Sequence, residues 1–329
     1  MNKNKLYIYR RNKYLTLNYK LMKTQTKTFR PLCVTAIMAV CLLLMASCKH
    51  HPKFGEEIIV CGDDKVLILD PAQTEGNKGK VIWQWKTSDA ANQLPAEYQK
   101  LLQNIDECKF TDNNRKIMIT ASGGGALLLD RATKKCLFYA KVPMAHSIEK
   151  LPNNRLVVAM STHPQGNAIE IYDIDKPEKV LIRDSLYFAH GVVWMPKEKR
   201  LYALGFNVIR SYKLMDWNTK HPSLVLDKQY YTPAEGGHDL VPIGDHMMLT
   251  TNHKGVYFFD LKKERFSSFE LLEQMPNVKS VNFRPKGQGL AYTQADINWW
   301  THHIYLEHPA QTIIIDSINV YKVRTTFKF

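Results

Sequence analysis

A repeat of about 44 residues constrains this chain more than any other feature. Five segments share one pattern: a polar residue, an apolar run, a turn and a second apolar run. They begin at Asp106 (DECKFTDNNRKIMITAS), His146 (HSIEKLPNNRLVVAMS), His190 (HGVVWMPKEKRLYALG), His238 (HDLVPIGDHMMLTT) and Lys279 (KSVNFRPKGQGLAYTQ), so the starts lie 40, 44, 48 and 41 residues apart. Further short runs rich in β-branched and aromatic residues follow in each unit, such as Ala126–Asp130, Ala168–Asp173, Val208–Lys213 and Gly255–Asp260. Four short strands every 40–45 residues or so is the signature of a β-propeller blade. A blade is a small sheet that cannot bury both faces alone, and packing blades around an axis buries them. A β-sandwich has no reason to repeat at this period.

Residues 56–88 supply three more strands (EEIIVCG, KVLILD and KVIWQWK) but no inner strand, and Ile318–Phe327 (INVYKVRTTF) is free to provide it. The expectation is an all-β fold, a β-propeller of six four-stranded blades, with the ring closed by pairing of the chain ends; seven blades is the alternative count. Helix is scarce. Residues 91–106 form the one helical candidate, and 271–275 read as a further turn.

The first 48 residues read as targeting. Lys23, Lys27 and Arg30 precede an uncharged apolar run from Leu32 to Met45, which ends in Met45-Ala46-Ser47-Cys48. A basic n-region, a short h-region and small residues before a cysteine are the features of a signal peptide, and the last four residues resemble a bacterial lipobox. The run is shorter than the roughly 20 residues a membrane span needs. The expected organisation is a signal peptide over 1–47, lipidation of Cys48, a lipid-anchored tether over 48–55 and a propeller domain over 56–329. Met22-Lys23-Thr24 looks like an ordinary signal-peptide start, which makes Met22 the expected initiator. An outer-membrane lipoprotein follows, facing the periplasm because Lys49-His50-His51 lacks an acidic export run.

Charge must then be read without the leader. Residues 1–47 hold nine Lys and Arg and no acid, so the overall +14 falls to +5 for 48–329. The basic balance belongs to targeting and gives no support to nucleic-acid binding. Cys61, Cys108 and Cys136 remain as thiols, enough for one disulfide at most and no zinc-ribbon spacing.

The repeat register places His146, His190 and His238 at the start of three successive inner strands. Lys279 takes that place in the next unit, and Asp106 or Glu107 in the preceding one, with Glu107 the residue chosen. Equivalent positions on blades related by rotation lie at one height around the axis, so these side chains should converge. Three neutral imidazoles could hold one divalent metal ion (Mn, Fe, Zn or Ni) with open coordination positions. Without a metal, the ring is a cationic, hydrogen-bonding pocket for an anion, with His as acid or base. The competing role for each His is a structural hydrogen bond within its own blade. Asp239 could orient an imidazole, and Arg324 on the closing strand could clamp an anion. Trp299 and Trp300 could stack on a sugar ring or cap a blade interface; His302 and His303 beside them could extend a metal site. His163, His221 and His253 fall in loops without evident partners. Gly123-Gly124-Gly125 reads as a hairpin turn.

The units AHSIEKLPNNRLVVA, AHGVVWMPKEKRLYALG and GGHDLVP, with the terminal YKVR, resemble a family of uncharacterised six-bladed propeller lipoproteins of Gram-negative bacteria. More distantly the architecture is similar to oligogalacturonate lyase and arylsulfotransferase propellers. That resemblance implies an axial His site acting on an anionic saccharide or a related ester by a lyase, hydrolase or transferase step. No Gln stands in the ring register for a lyase metal site. The alternative is a non-catalytic propeller that binds a glycan or a partner protein. A polar ring in a deep pocket favours the first reading, and a channel plugged by apolar side chains favours the second.

Overall fold

The computed structural model describes residues 57–287 and 289–326. The expected signal peptide over 1–47, Cys48 and the tether over 48–55 lie outside the described residues. Among the described residues twenty-four strands carry the fold, and no helix is long and apolar enough to cross a membrane.

Four separate antiparallel sheets run along the chain, each with four strands in sequence order. The first holds β4 (Ile105–Thr111), β5 (Lys116–Ala121), β6 (Gly125–Asp130) and β7 (Cys136–Lys141). The second holds β8 (Ala145–Leu151), β9 (Arg155–Met160), β10 (Ala168–Asp173) and β11 (Val180–Ser185). The third holds β12 (Gly191–Met195), β13 (Arg200–Leu204), β14 (Val208–Met215) and β15 (Ser223–Tyr231). The fourth holds β16 (Asp239–Gly244), β17 (Met247–Thr251), β18 (Val256–Asp260) and β19 (Arg265–Ser268).

Six separate sheets were expected, and here the structure differs. The other eight strands form one sheet. It consists of β20 (Val278–Arg284), β21 (Gly289–Gln294), β22 (His303–Glu307) and β23 (Gln311–Ile314), followed by β3 (Lys78–Lys86), β2 (Lys65–Glu75), β1 (Ile58–Gly62) and β24 (Val320–Thr325). Two antiparallel runs of four meet in it through a single parallel pair, Ile314 with Lys78. The chain ends pair: β24 lies antiparallel to β1, from Ile58 opposite Thr325 to Cys61 opposite Lys322.

The hydrophobic core lies between four-stranded units. Met118, Leu128 and Phe138 pack against Ile148, Leu156 and Val158 of the next sheet. Val157, Ile169 and Ile171 in turn meet Val192, Leu201 and Tyr212. Similar clusters join β12–β14 to β16–β18, β16–β18 to β20–β22, β21–β23 to β1, β2 and β24, and β1–β3 to β4–β6. Middle strands such as β5, β6, β9 and β10 are therefore buried almost throughout, whereas β11 and β15 on the outside alternate or lie open. This is a propeller-like arrangement of four-stranded sheets. Phe138 is fully buried between two of them, and Phe138→Ala should cost about 3–5 kcal/mol through the cavity it leaves, read as a lower denaturant midpoint with unchanged slope.

Within the helical candidate over 91–106, expected as a turn or two between blades, the helix is a single turn. Residues Thr87–Ala90 form one 3-10 turn and α1 (Tyr98–Leu101) one α-helical turn. Asn104 at φ +55° then turns the backbone into β4. Asn153 and Asn154, at φ +60° and +56°, supply the left-handed residues of the three-residue connection between β8 and β9, where Leu151 pairs with Arg155.

Candidate functional site

The first strands of the units, β4, β8, β12, β16 and β20, together with β24, form a closed series of neighbours: each packs on the next, and β24 packs on β4. Each has an irregularity at its N-terminal end. The pairing with the neighbouring strand skips Asp106, His146, Lys279 and Tyr321. In β12 and β16 the N–H groups of His190 and His238 reach the carbonyls of Leu204 and Thr251, which are already the partners of Gly191 and Asp239. Two residues opposing one is a β-bulge, which bends the strand and turns two consecutive side chains toward one face.

The bulge residue and the residue after it therefore both face inward, and strand alternation adds the residue two further on. Three tiers result. The first holds Asp106, His146, His190, His238, Lys279 and Tyr321, all buried. The second holds Glu107, Ser147, Gly191, Asp239, Ser280 and Lys322. The third includes Lys109, Glu149, Val241, Asn282 and Arg324.

Asp106, His146, His190, His238 and Tyr321 of the first tier line a cavity of about 320 Å³, together with Met144, Phe188, His253, Trp299 and Trp300; Lys279 meets that lining through His238 and Trp299. The His146 and His190 ring centroids are 4.2 Å apart, His190 and His238 5.5 Å, and His238 and His253 5.0 Å. Phe188 stacks on His190 at 4.0 Å. Each of the first two imidazoles donates from Nδ1 to a backbone carbonyl, His146 to Met144 (2.9 Å) and His190 to Phe188 (3.1 Å). That bond fixes the tautomer and leaves Nε2 as the lone-pair nitrogen. Met144 and Phe188 present those carbonyls from φ +52° and +55°, a left-handed conformation that costs a non-glycine residue about 1–2 kcal/mol. At the corresponding position before His238 stands Gly236 at φ +71°, where a Cβ would run into the His253 ring.

Lys279 donates from Nζ to His238 Nε2 (2.9 Å), and its Nζ lies 5.0 Å from the Trp299 ring centroid. Among the described residues it has no carboxylate within ion-pair distance. Burial pushes its amine down to about 8, with the nearby Lys322 adding to the effect. Burial also lowers His238 well below the ordinary imidazole value, aided by Lys279 and His253. His190 is lowered in the same way, by burial and then by His146 and His238. Asp106 moves the other way: burial raises its carboxyl against the opposing pull of His146. Two buried atoms at this level have no partner, Asp106 Oδ2 and His238 Nδ1.

Below this cavity lies a layer of buried charge. Arg324 reaches Glu107 through Nε (2.9 Å) and Nη2 (2.7 Å), and Asp239 through Nη1 (2.7 Å) and Nη2 (2.6 Å). Lys322 adds ion pairs to Glu107 (3.3 Å) and Asp239 (3.4 Å). Burial works against both carboxylates, but Arg324 and Lys322 hold Glu107 well below the usual range and lower Asp239 as well. Backbone N–H groups of Cys108 and Val281 also donate to them. This layer separates the His cavity from a second one of about 390 Å³, lined in part by Lys109, Glu149, Asn282, Phe283 and Arg324.

These positions correct the sequence-based assignments in three respects. Asp106, not Glu107, occupies the His tier, because the bulge falls at Asp106. Glu107, Asp239 and Arg324 do not face the His cavity as ligand groups; they neutralise one another beneath it. The metal expectation for His146, His190 and His238 does not fit the donor set, since Lys279 occupies the His238 lone pair. Among the described residues no group of three His, Cys, Asp or Glu is arranged to hold a metal ion. His302 and His303 turn elsewhere, to the Ile318 carbonyl and the Asp296 carboxylate. Trp299 and Trp300 line the cavity, and Trp299 is 55% exposed, so it is not an interface cap. Tyr321, Phe188 and His253 escaped the sequence reading. Tyr321 was accessible to it, lying 42 residues after Lys279 within the range of the repeat.

Residues 56–328 match the family described as Family of unknown function (DUF6528). The chain belongs to that family. The search of curated proteins found no match. Among solved structures, the chain is similar to a crystal structure of a protein of unknown function from Bacteroides caccae at 1.35 Å resolution. The identity is 13% and the TM-score 0.55, over 82% of this chain and 98% of that one. At that identity the likeness shows the fold alone.

The two depressed imidazoles predict acid sensitivity. Unfolded His titrates near pH 6.5, while folded His190 and His238 stay neutral to a lower pH. Their stabilisation is full above about pH 6.5 and is lost as pH falls toward the folded values, at up to about 1.4 kcal/mol per pH unit for each ring. Melting temperature should drop between pH 7 and pH 5, and His190→Gln should flatten that drop. A flat profile in the unsubstituted protein would contradict the buried neutral rings.

Proposed function

We propose that this chain is an envelope lipoprotein with a six-bladed propeller that binds a small anionic saccharide or related ester in the His-lined cavity. Six blades are supported by counting the eight-stranded sheet as two units joined by one residue pair, and by the six clusters that lie between units.

The observation that carries the ligand class is Lys279. A buried ammonium is costly unless paired, yet its polar partner is a neutral imidazole, and among the described residues no carboxylate lies within ion-pair distance. A bound anion would supply the missing charge. The cavity, at about 320 Å³, is at the small end for ligand sites and suits a molecule the size of a monosaccharide. Trp299 and Trp300 at its lining offer flat faces to a sugar ring. His146 and His190 add Nε2 lone pairs for proton transfer, so a lyase, hydrolase or transferase step is within the chemistry of the site. The plug beneath it is charged rather than apolar, which favours this reading over a partner-protein scaffold.

Calorimetric titration with D-galacturonate and D-galactose tests the reading. The uronate should bind at least about 10-fold tighter, the difference a charge-assisted hydrogen bond provides, and Lys279→Met should abolish that preference. Equal affinities for both sugars in the unsubstituted protein would overturn it.

The envelope assignment rests on the lipobox ending at Cys48. Mass spectrometry of the membrane fraction should find residues 1–47 absent and Cys48 acylated; an unmodified Cys48 or a retained leader would refute it.

A further inference from the structure

We propose that Lys279 is a covalent carbonyl site, whose amine condenses with the aldehyde or keto carbon of a small carboxylate-bearing compound held in the His cavity. This rests on the anion-binding reading and adds a bond to it.

Most buried lysines are held as ammonium ions by a carboxylate. Lys322, fully buried in the second tier, is such a lysine, flanked by Glu107 and Asp239. Lys279 is built differently. Its Nζ faces His238 Nε2 at 2.9 Å and the Trp299 ring at 5.0 Å, and no acid among the described residues stabilises its charged form. Desolvation without a counter-charge is the device that turns a lysine into a nucleophile at neutral pH, and its amine is accordingly pushed down to about 8. The cover over Nζ is an indole that is itself 55% exposed, on a short turn bridged between Ile297 and Trp300.

The groups needed for condensation stand around the amine. His238 Nε2 accepts a proton from the ammonium. The free amine lone pair then forms a C–N bond to the carbonyl carbon, and the C=O π pair moves to oxygen, which takes a proton released by the nitrogen. Protonated His238 returns its proton to the carbinolamine hydroxyl, which departs as water while the nitrogen lone pair closes C=N. The net change is one ammonium and one carbonyl giving one iminium and one water. His238 is a poor resting place for a proton because burial disfavours its charged form, so it passes the proton on rather than keeping it.

The experiment incubates the folded protein with low glyoxylate and sodium cyanoborohydride, then maps labelled lysines by peptide mass spectrometry. Carboxymethylation of Lys279 should outrun that of exposed lysines such as Lys228 and Lys263 by about 10-fold or more. His238→Phe should slow Lys279 selectively, and Lys279→Arg, which keeps the charge, should leave only the slow surface labelling. Labelling of Lys279 at or below the surface rate overturns the proposal. Calorimetry with glycolate, the same carboxylate bearing a hydroxyl instead of an aldehyde, separates the two claims. Glycolate binding without fast Lys279 labelling sinks the carbonyl chemistry and leaves the anion site standing. Absence of both sinks the two together.

Discussion

Arg324→Leu is expected to destabilise the folded protein by about 3–5 kcal/mol, the range for removing one partner of a buried ion pair. The guanidinium makes four hydrogen bonds to Glu107 and Asp239, neither of which is exposed. Lys322, at 3.3 and 3.4 Å from the two carboxylates, and Lys109, at 3.8 Å from Glu107, would then be the remaining cations. At roughly 2–4 °C per kcal/mol for a chain of this size class, the melting temperature should fall by about 10 °C. Glu107→Gln in the Arg324→Leu background should recover part of the loss, because it removes one of the uncompensated charges. A melting temperature within a degree or two of the unsubstituted protein would mean that water or relaxation satisfies these carboxylates, and the buried layer would not be the keystone described above.

Deleting residues 318–329 should be more damaging still. That segment contributes β24, the strand paired to β1, and it carries Tyr321, Lys322 and Arg324 into three successive tiers. Its loss opens the series of first strands between β20 and β4, leaves the β1 edge unpaired, strips Arg324 and Lys322 from Asp239 and leaves Glu107 only Lys109 at 3.8 Å. The cost exceeds that of Arg324→Leu and is comparable with the whole stability of a typical domain, about 5–15 kcal/mol. The expected result is loss of the cooperative thermal transition, with increased susceptibility to proteolysis. A truncated protein that melts cooperatively at the original temperature would refute closure by this strand.

Much of this architecture was legible because repetition leaves a period in the sequence. The spacing of His146, His190, His238 and Lys279 located one inner strand per unit, and the missing strand before Glu56 pointed to the C-terminal segment. What could not be read was which of two adjacent side chains enters which tier. A bulge lets consecutive residues such as Asp106 and Glu107 share a face, whereas simple alternation would send them to opposite faces. Asp106 was therefore passed over for Glu107, and Arg324 was taken for a ligand clamp when it is the counter-charge of two buried acids. The role of Lys279 depends on an absence, the lack of a neighbouring carboxylate, and an absence in space has no sequence signature. His253 reaches the cavity from a turn between β17 and β18, where no periodicity points.

The central claim is that one register position, repeated around the first strands, builds a single ligand cavity. Imidazole ¹⁵N resonances test it most directly, because histidines outside the cavity serve as internal controls. On addition of D-galacturonate, the signals of His146, His190, His238 and His253 should shift together with one saturation curve. Those of His163, His221, His246 and His308, which do not line the cavity, should stay in place. Shifts confined to the second group, or no shift in the first at saturating uronate, would contradict the account.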